Sequence, residues 1–116
     1  MHTVHSTLTL DSHPVHLITF DPATFAERDL LWLPHHDRLA HAGRKRKSEH
    51  LAGRIAAVHA LREYGHQAVP GIAPGGEPRW PSGLHGSISH AGQTAVAVVS
   101  SACVGVDIES VFSSQL

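Results

Sequence analysis

The sequence predicts an α+β domain, an antiparallel sheet with packed helices, and three observations lead there. Runs of β-branched and apolar residues gather at the two ends of the chain, and one long stretch of helical periodicity lies between them. The strand runs at each end are joined by turn-sized connections, the pattern of hairpins.

Taken in order, Val4 to Leu10 and Val15 to Phe20 flank Asp11-Ser12-His13-Pro14, all turn formers, which predicts an opening β-hairpin. After the punctuation at Asp21-Pro22, Ala23 to Leu33 has helical composition and Pro34 closes it. From Arg46 to Tyr64 the residues Leu51, Ile55, Val58 and Leu61 recur at i, i+4, i+7 and i+10. That is the apolar stripe of a helix, with Gly65 as its stop. Val69 to Gly83 is rich in Pro and Gly and reads as a shaped loop, anchored to the core by Trp80. Gly86 to His90 is a short strand or turn, Thr94 to Val99 a buried strand and Cys103 to Glu109 another. Ser100-Ser101-Ala102 connects the last two into an antiparallel pair. Ser110 to Leu116 adds no closing element, so residues 1–116 are expected to be one domain cut from something longer.

Composition excludes several classes. A chain of 116 residues holds one core, since a single domain becomes secure at roughly 100 to 150 residues. Charged residues make up 16%, hydrophobic ones 41% and the net charge is −1, which argues against disorder and against a nucleic-acid partner. The 12 histidines are spread along the chain, away from metal-ligand spacing, and read as surface residues. A single cysteine, Cys103, excludes an internal disulfide and fits a reducing compartment. No leader is visible and no apolar run approaches the roughly 20 residues of a membrane span. A cytoplasmic chain with no transmembrane segment is the expectation.

Three clusters carry chemistry. Gly105-Val106-Asp107-Ile108-Glu109 puts the carboxylates of Asp107 and Glu109 on one face of an apolar strand, because side chains alternate along a strand. Hard oxygens at that spacing suit Mg²⁺, which keeps positions for water and substrate phosphate, with a solvated face on an edge strand as the alternative. Gly43-Arg44-Lys45-Arg46-Lys47 is the one dense basic cluster. Arg46, His50 and Arg54 follow at i, i+4 and i+8 on one helical face, a row of donors for phosphate oxygens, with a solvated basic face as the alternative. Gly86-Ser87-Ile88-Ser89-His90 sets a hydroxyl beside an imidazole, but neighbours on a strand face opposite ways. A hydrolase dyad is rejected and ligand contact kept beside a structural turn.

Gly43 to Arg54, Gly76-Glu77-Pro78-Arg79-Trp80-Pro81, Gly86 to His90 and Gly105 to Glu109 together resemble the Sfp-type 4′-phosphopantetheinyl transferases, in their enterobactin-siderophore branch. The resemblance runs from about Phe20, through Leu30-Leu31-Trp32-Leu33-Pro34-His35, to Glu109. It implies the N-terminal half of a two-half fold with the C-terminal half absent. It also implies transfer of the phosphopantetheine arm of coenzyme A to a serine of an apo acyl, peptidyl or aryl carrier protein of a nonribosomal peptide synthetase. On that resemblance Asp107 and Glu109 are ligands of Mg²⁺, and Arg46, Arg54, Ser89 and His90 bind coenzyme A, with Arg44 and His50 beside them. A full-length member is expected to be a monomer, cytoplasmic, associating peripherally with a siderophore synthase complex.

Two departures bear on activity. The family's Gly-Lys-Pro run is Gly76-Glu77-Pro78 here, and a carboxylate cannot make the lysine's contact, which leaves Arg79 as the candidate substitute. The catalytic Lys-Glu pair of the second half lies beyond Leu116, so no catalytic residue is assigned in this chain and the piece alone is expected to be inactive. A non-catalytic half-domain that binds coenzyme A and Mg²⁺ is the alternative.

Overall fold

A computed structural model describes residues 1–101. The expected strand from Cys103 to Glu109, with Asp107 and Glu109, lies outside the described residues, as does its pairing with the strand before it.

Strands β1 (Thr3–Leu10) and β2 (His13–Phe20) form the predicted hairpin. The turn is tighter than expected. Asp11 and Ser12 alone make it, with φ of 49° and 67°, and His13 and Pro14 already pair with Leu10 and Thr9. Two successive left-handed residues match the right-handed twist of the flanking strands. Strands β5 (His85–Ala91) and β6 (Thr94–Ser100) form a second hairpin, and β2 pairs with β6, giving the sheet order β1-β2-β6-β5, antiparallel throughout.

Helix α1 (Arg44–Arg62) lies across one face of this sheet. It begins two residues earlier than predicted, so the basic cluster forms its first turn, and Gly65 ends it at φ 79°. The predicted stripe is only part of its buried surface. Ala52, Ala56, Ala57, Ala60 and Leu61 meet Ile18, Phe20, Ala95, Ala97 and Val99 of the sheet, whereas Leu51 turns to Phe25, Leu30, Leu33 and Leu39. Small side chains let helix and sheet approach closely. A methyl added at Gly53 would stand 2.8 Å from Ile88 Cγ2 on β5.

The helix predicted over Ala23 to Leu33 is instead a series of single 3₁₀ turns, Pro22–Thr24, Glu27–Trp32 and His36–Leu39. Carboxylates compete with a regular ladder here: Asp21 accepts from Ala23 N at 3.0 Å and Asp29 from Ala26 N at 2.8 Å. Two residues of the basic cluster hold this segment. Arg44 donates to the Phe25 carbonyl at 3.0 Å, and buried Lys47 pairs with Glu27 at 2.9 Å.

The Pro- and Gly-rich loop carries a two-residue ladder, β3 (Gly71–Ile72) with β4 (Pro78–Arg79). Trp80 packs on the helix–sheet core as expected. Its indole fills the space over Gly86, where an added Cβ would stand 2.6 Å from the ring. The missing side chain at Gly86 thus makes room for a tryptophan.

Candidate functional site: a basic cleft beside helix α1

Helix α1, the 3₁₀ segment, the β3–β4 loop and β5 surround a divided cleft. One hollow, about 170 Å³, is lined by Arg46, Glu49, His50, Gly53, Arg54, Pro78, Ile88 and His90. A second, about 280 Å³, lies across the same row and brings in Arg38, Leu39, Ala42, Ile72 and Gly76. Arg46, His50 and Arg54 belong to both, because residues four apart stack along one helical face. The predicted row is therefore a wall of the cleft, and β5 brings His90 to it.

The members of the row differ in freedom. Arg46 is exposed and its guanidinium faces the opening. Arg54 is only 4% exposed, donating from Nε to the Pro70 carbonyl at 2.9 Å and from Nη2 to that of Gly71 at 3.1 Å. It clamps the loop while its charge stays in the cleft wall. His50 Nε2 meets His35 Nε2 at 2.8 Å, one ring donating and the other accepting. Burial first, then Arg54, His35 and Arg46, push the His50 pKa down to about 3. The His35 pKa is lowered too, by burial and then by Arg54, Arg38 and His36.

His90 Nδ1 lies 3.2 Å from Glu49 Oε2, a contact that turns the ring toward the cleft. Glu49 was not anticipated, since a carboxylate in a phosphate-binding wall runs against charge matching. Its place one turn after Lys45 and directly before His50 was the available signal. Arg38 was likewise missed, because the 3₁₀ turn that presents it had been read as lying past the end of a helix.

Ser89 does not join the lining. It alternates with Ile88 and His90, which face α1, and so points to the other side of the sheet, in keeping with the rejected dyad. Arg79 lines a separate hollow with Leu61, Val69 and Trp80, and Arg44 faces the 3₁₀ segment. A larger hollow, about 530 Å³, lies on the other side of Leu51 and Ile55, mainly apolar apart from Arg28 and the pair between the Met1 ammonium and Asp29 at 2.7 Å. It offers no row of phosphate donors.

The histidines are not all surface residues. His16 is buried, its Nδ1 at 2.9 Å from His5 Nε2, and the His59 ring lies flat on His5 with centroids 3.7 Å apart. Among the described residues no group of three or more His, Cys, Asp or Glu is placed to hold a metal ion. No described helix is long and apolar enough to cross a membrane.

Residues 35–100, which include every wall of this cleft, match the 4′-phosphopantetheinyl transferase N-terminal domain. The chain belongs to that family. It is 60% identical over 115 residues to enterobactin synthase component D of Escherichia coli O157:H7, covering 99% of this chain and 56% of that protein. To the protein of the same name from Salmonella typhi it is 62% identical over 113 residues, 97% of this chain and 48% of that one. The chain thus spans about half the length of the curated relatives it matches.

Proposed function

We propose that this chain is the N-terminal, nucleotide-holding half of a 4′-phosphopantetheinyl transferase that serves enterobactin assembly. The reaction breaks the pyrophosphate of coenzyme A and moves the phosphopantetheine arm to a carrier-protein serine. The observation that carries this reading is the convergence of Arg46, His50 and Arg54 of α1 with His90 of β5 on one cleft. Guanidinium groups give charge-assisted, two-pronged hydrogen bonds to phosphate oxygens, and a cleft of that sign concentrates a polyanion.

On this reading Arg46 and His90 contact the coenzyme A phosphates, and Arg54 supplies charge while fixing the loop through Pro70 and Gly71. Ser89 keeps its role on the resemblance alone, from the opposite face of β5. Mg²⁺ would be held by Asp107 and Glu109, whose hard oxygens suit it, and when bound it neutralises charge on the leaving phosphate. The partners are coenzyme A and apo carrier proteins, in the cytoplasm, with peripheral association to the siderophore synthase and a monomeric full-length form.

The intact mass of an apo carrier protein, after incubation with coenzyme A and Mg²⁺, tests the reaction. A version of this chain extended with the second half of a relative is expected to add one phosphopantetheine, and Asp107→Ala in it to abolish the gain. Full activity of that variant would remove the metal assignment. The 116 residues alone are expected to add none, and a gain with them would place the base within this half.

A further inference from the structure

His50 belongs to the cleft wall in the proposed function, which gives no role to its bond with His35; a role for that bond deepens that reading and rests on it. His35 and His50 share a 2.8 Å Nε2 contact, and His50 stands one turn from Arg46 and one turn from Arg54, opening onto both hollows. A neutral pair bonded through its Nε2 atoms has one bare ring nitrogen, the Nδ1 of the donating ring. His35 Nδ1 is sealed from solvent with no hydrogen-bond partner among the described residues. The pair is thus short of one proton and short of one partner.

We propose that the cleft takes up a proton from solvent together with its phosphates, and that the His35–His50 pair stores it. In the empty cleft every close cation opposes an imidazolium. Arg46 and Arg54 face the pair from α1, and His36 and Arg38 from the 3₁₀ segment. Glu49 is the one carboxylate among the lining residues, and its Oε2 stands 3.2 Å from His90 Nδ1 of β5. The β3–β4 loop contributes only Ile72, Gly76 and Pro78, which carry no charge. Burial acts in the same direction, and both influences favour the neutral pair.

A phosphate seated against Arg46 and Arg54 reverses that field. A terminal phosphate monoester or a sulfate carries close to two negative charges, more than one guanidinium offsets, in a wall partly closed to water, and a proton on the pair then lies opposite an anion. The proton balance is simple: one H⁺ leaves the buffer, the bare Nδ1 accepts it, and it returns to the buffer on ligand release. Affinity for polyphosphate therefore rises as pH falls toward 6, with no protonation of the ligand required.

Calorimetric titration of the 116-residue chain at pH 7 in buffers of different ionisation enthalpy reads this directly. Adenosine 3′,5′-bisphosphate, coenzyme A and sulfate are the probes, sulfate because it does not titrate near neutrality. The slope of enthalpy against buffer enthalpy is expected to show uptake of about half to one proton, with sulfate as with the nucleotides. His50→Gln, which can keep the bond to His35 but alters the cleft wall, is expected to bind more weakly and to lose that uptake. Nitrogen-15 shifts of the wild-type imidazoles supply the same answer without a variant: the midpoint of the pair is expected to rise to pH 7 or above on saturation. Binding with zero slope, or uptake unchanged in His50→Gln, overturns the proposal and leaves the coenzyme A reading standing. Proton uptake with sulfate but no affinity for either nucleotide does the reverse. Absence of binding by all three probes sinks both.

Discussion

The two ends of helix α1 each carry a histidine with a lowered pKa, and they serve different purposes. His50, in the second turn, stands between Arg46 and Arg54 and opens onto the cleft. His59, near the C-terminal end, lies flat on His5, which bonds in line to buried His16, close to Glu63 and Arg62. The second group joins the edge strand β1 to β2 and to the helix. It has no adjoining hollow among those described, and Glu63 Oε1 stands 3.3 Å from His16 Nε2 without hydrogen-bond alignment. A buried imidazole alone is therefore no sign of a site. What separates the two groups is the pair of guanidinium neighbours and the space beside them.

The comparison breaks most visibly at Arg54, the residue that is both structure and site. Arg54→Ala removes two charge-assisted bonds from buried carbonyls, each worth on the order of 1.5–3 kcal/mol, so a loss of about 3 kcal/mol is expected. The urea midpoint measures it. Arg54→Lys should recover only part, because an ammonium cannot reach both carbonyls with one rigid fork.

Acid acts on both ends of the helix. The pKa values of His16, His35, His50 and His59 are lowered in the folded chain, so the unfolded chain binds more protons, beginning near its ordinary 6.5. Stability is complete above about pH 6.5 and falls below it. His50 alone, with a folded value of about 3, accounts for up to about 2 kcal/mol of that loss at pH 5. Thermal midpoints across pH 5 to 8 check the sign, and a rise in stability on acidification would contradict it. Saturating coenzyme A is expected to relieve the cleft part of the loss and leave the part due to His16 and His59.

A smaller effect sharpens the contrast within the basic row. Arg46 is exposed and its side chain bonds to no other residue among those described, so Arg46→Ala is expected to weaken coenzyme A binding about tenfold, about 1.4 kcal/mol, with an unchanged urea midpoint. Equal losses in binding and stability would make Arg46 a structural residue like Arg54. The smallest change belongs to the far side of the first turn, where Glu27→Gln removes the charge opposite Lys47 but leaves an amide oxygen that can accept from it. With that bond kept and Glu27 largely exposed, the expected cost is under about 1 kcal/mol, read from the same midpoint.

Local patterns in the sequence carried the first hairpin, the long helix, the Trp80 anchor and the row of Arg46, His50 and Arg54, since each rests on spacing within one element. The pairing of β5 with β6 was not among them, because Gly86 to His90 reads equally as a strand or a turn and Thr94 to Val99 was expected to pair with Cys103 to Glu109. The 3₁₀ segment escaped because side-chain carboxylates from Asp21 and Asp29, and the long-range staples of Arg44 and Lys47, outweigh helical composition there. Arg54's hold on Pro70 and Gly71, the contact of Glu49 with His90 and the stack of His5 on His59 join residues far apart in the chain. No periodicity announces them. The carboxylates Asp107 and Glu109 are the reverse case, legible in sequence and outside the described residues.

An amide and imidazole shift map of the 116-residue chain titrated with coenzyme A tests the central claim most directly. The account predicts saturable shifts at Arg46, His50, Gly53, Arg54 and His90, with His5, His16 and His59 unmoved at constant pH. Shifts centred on the His5–His16–His59 group, or around Trp32 and Ile55 with the basic row silent, would contradict it.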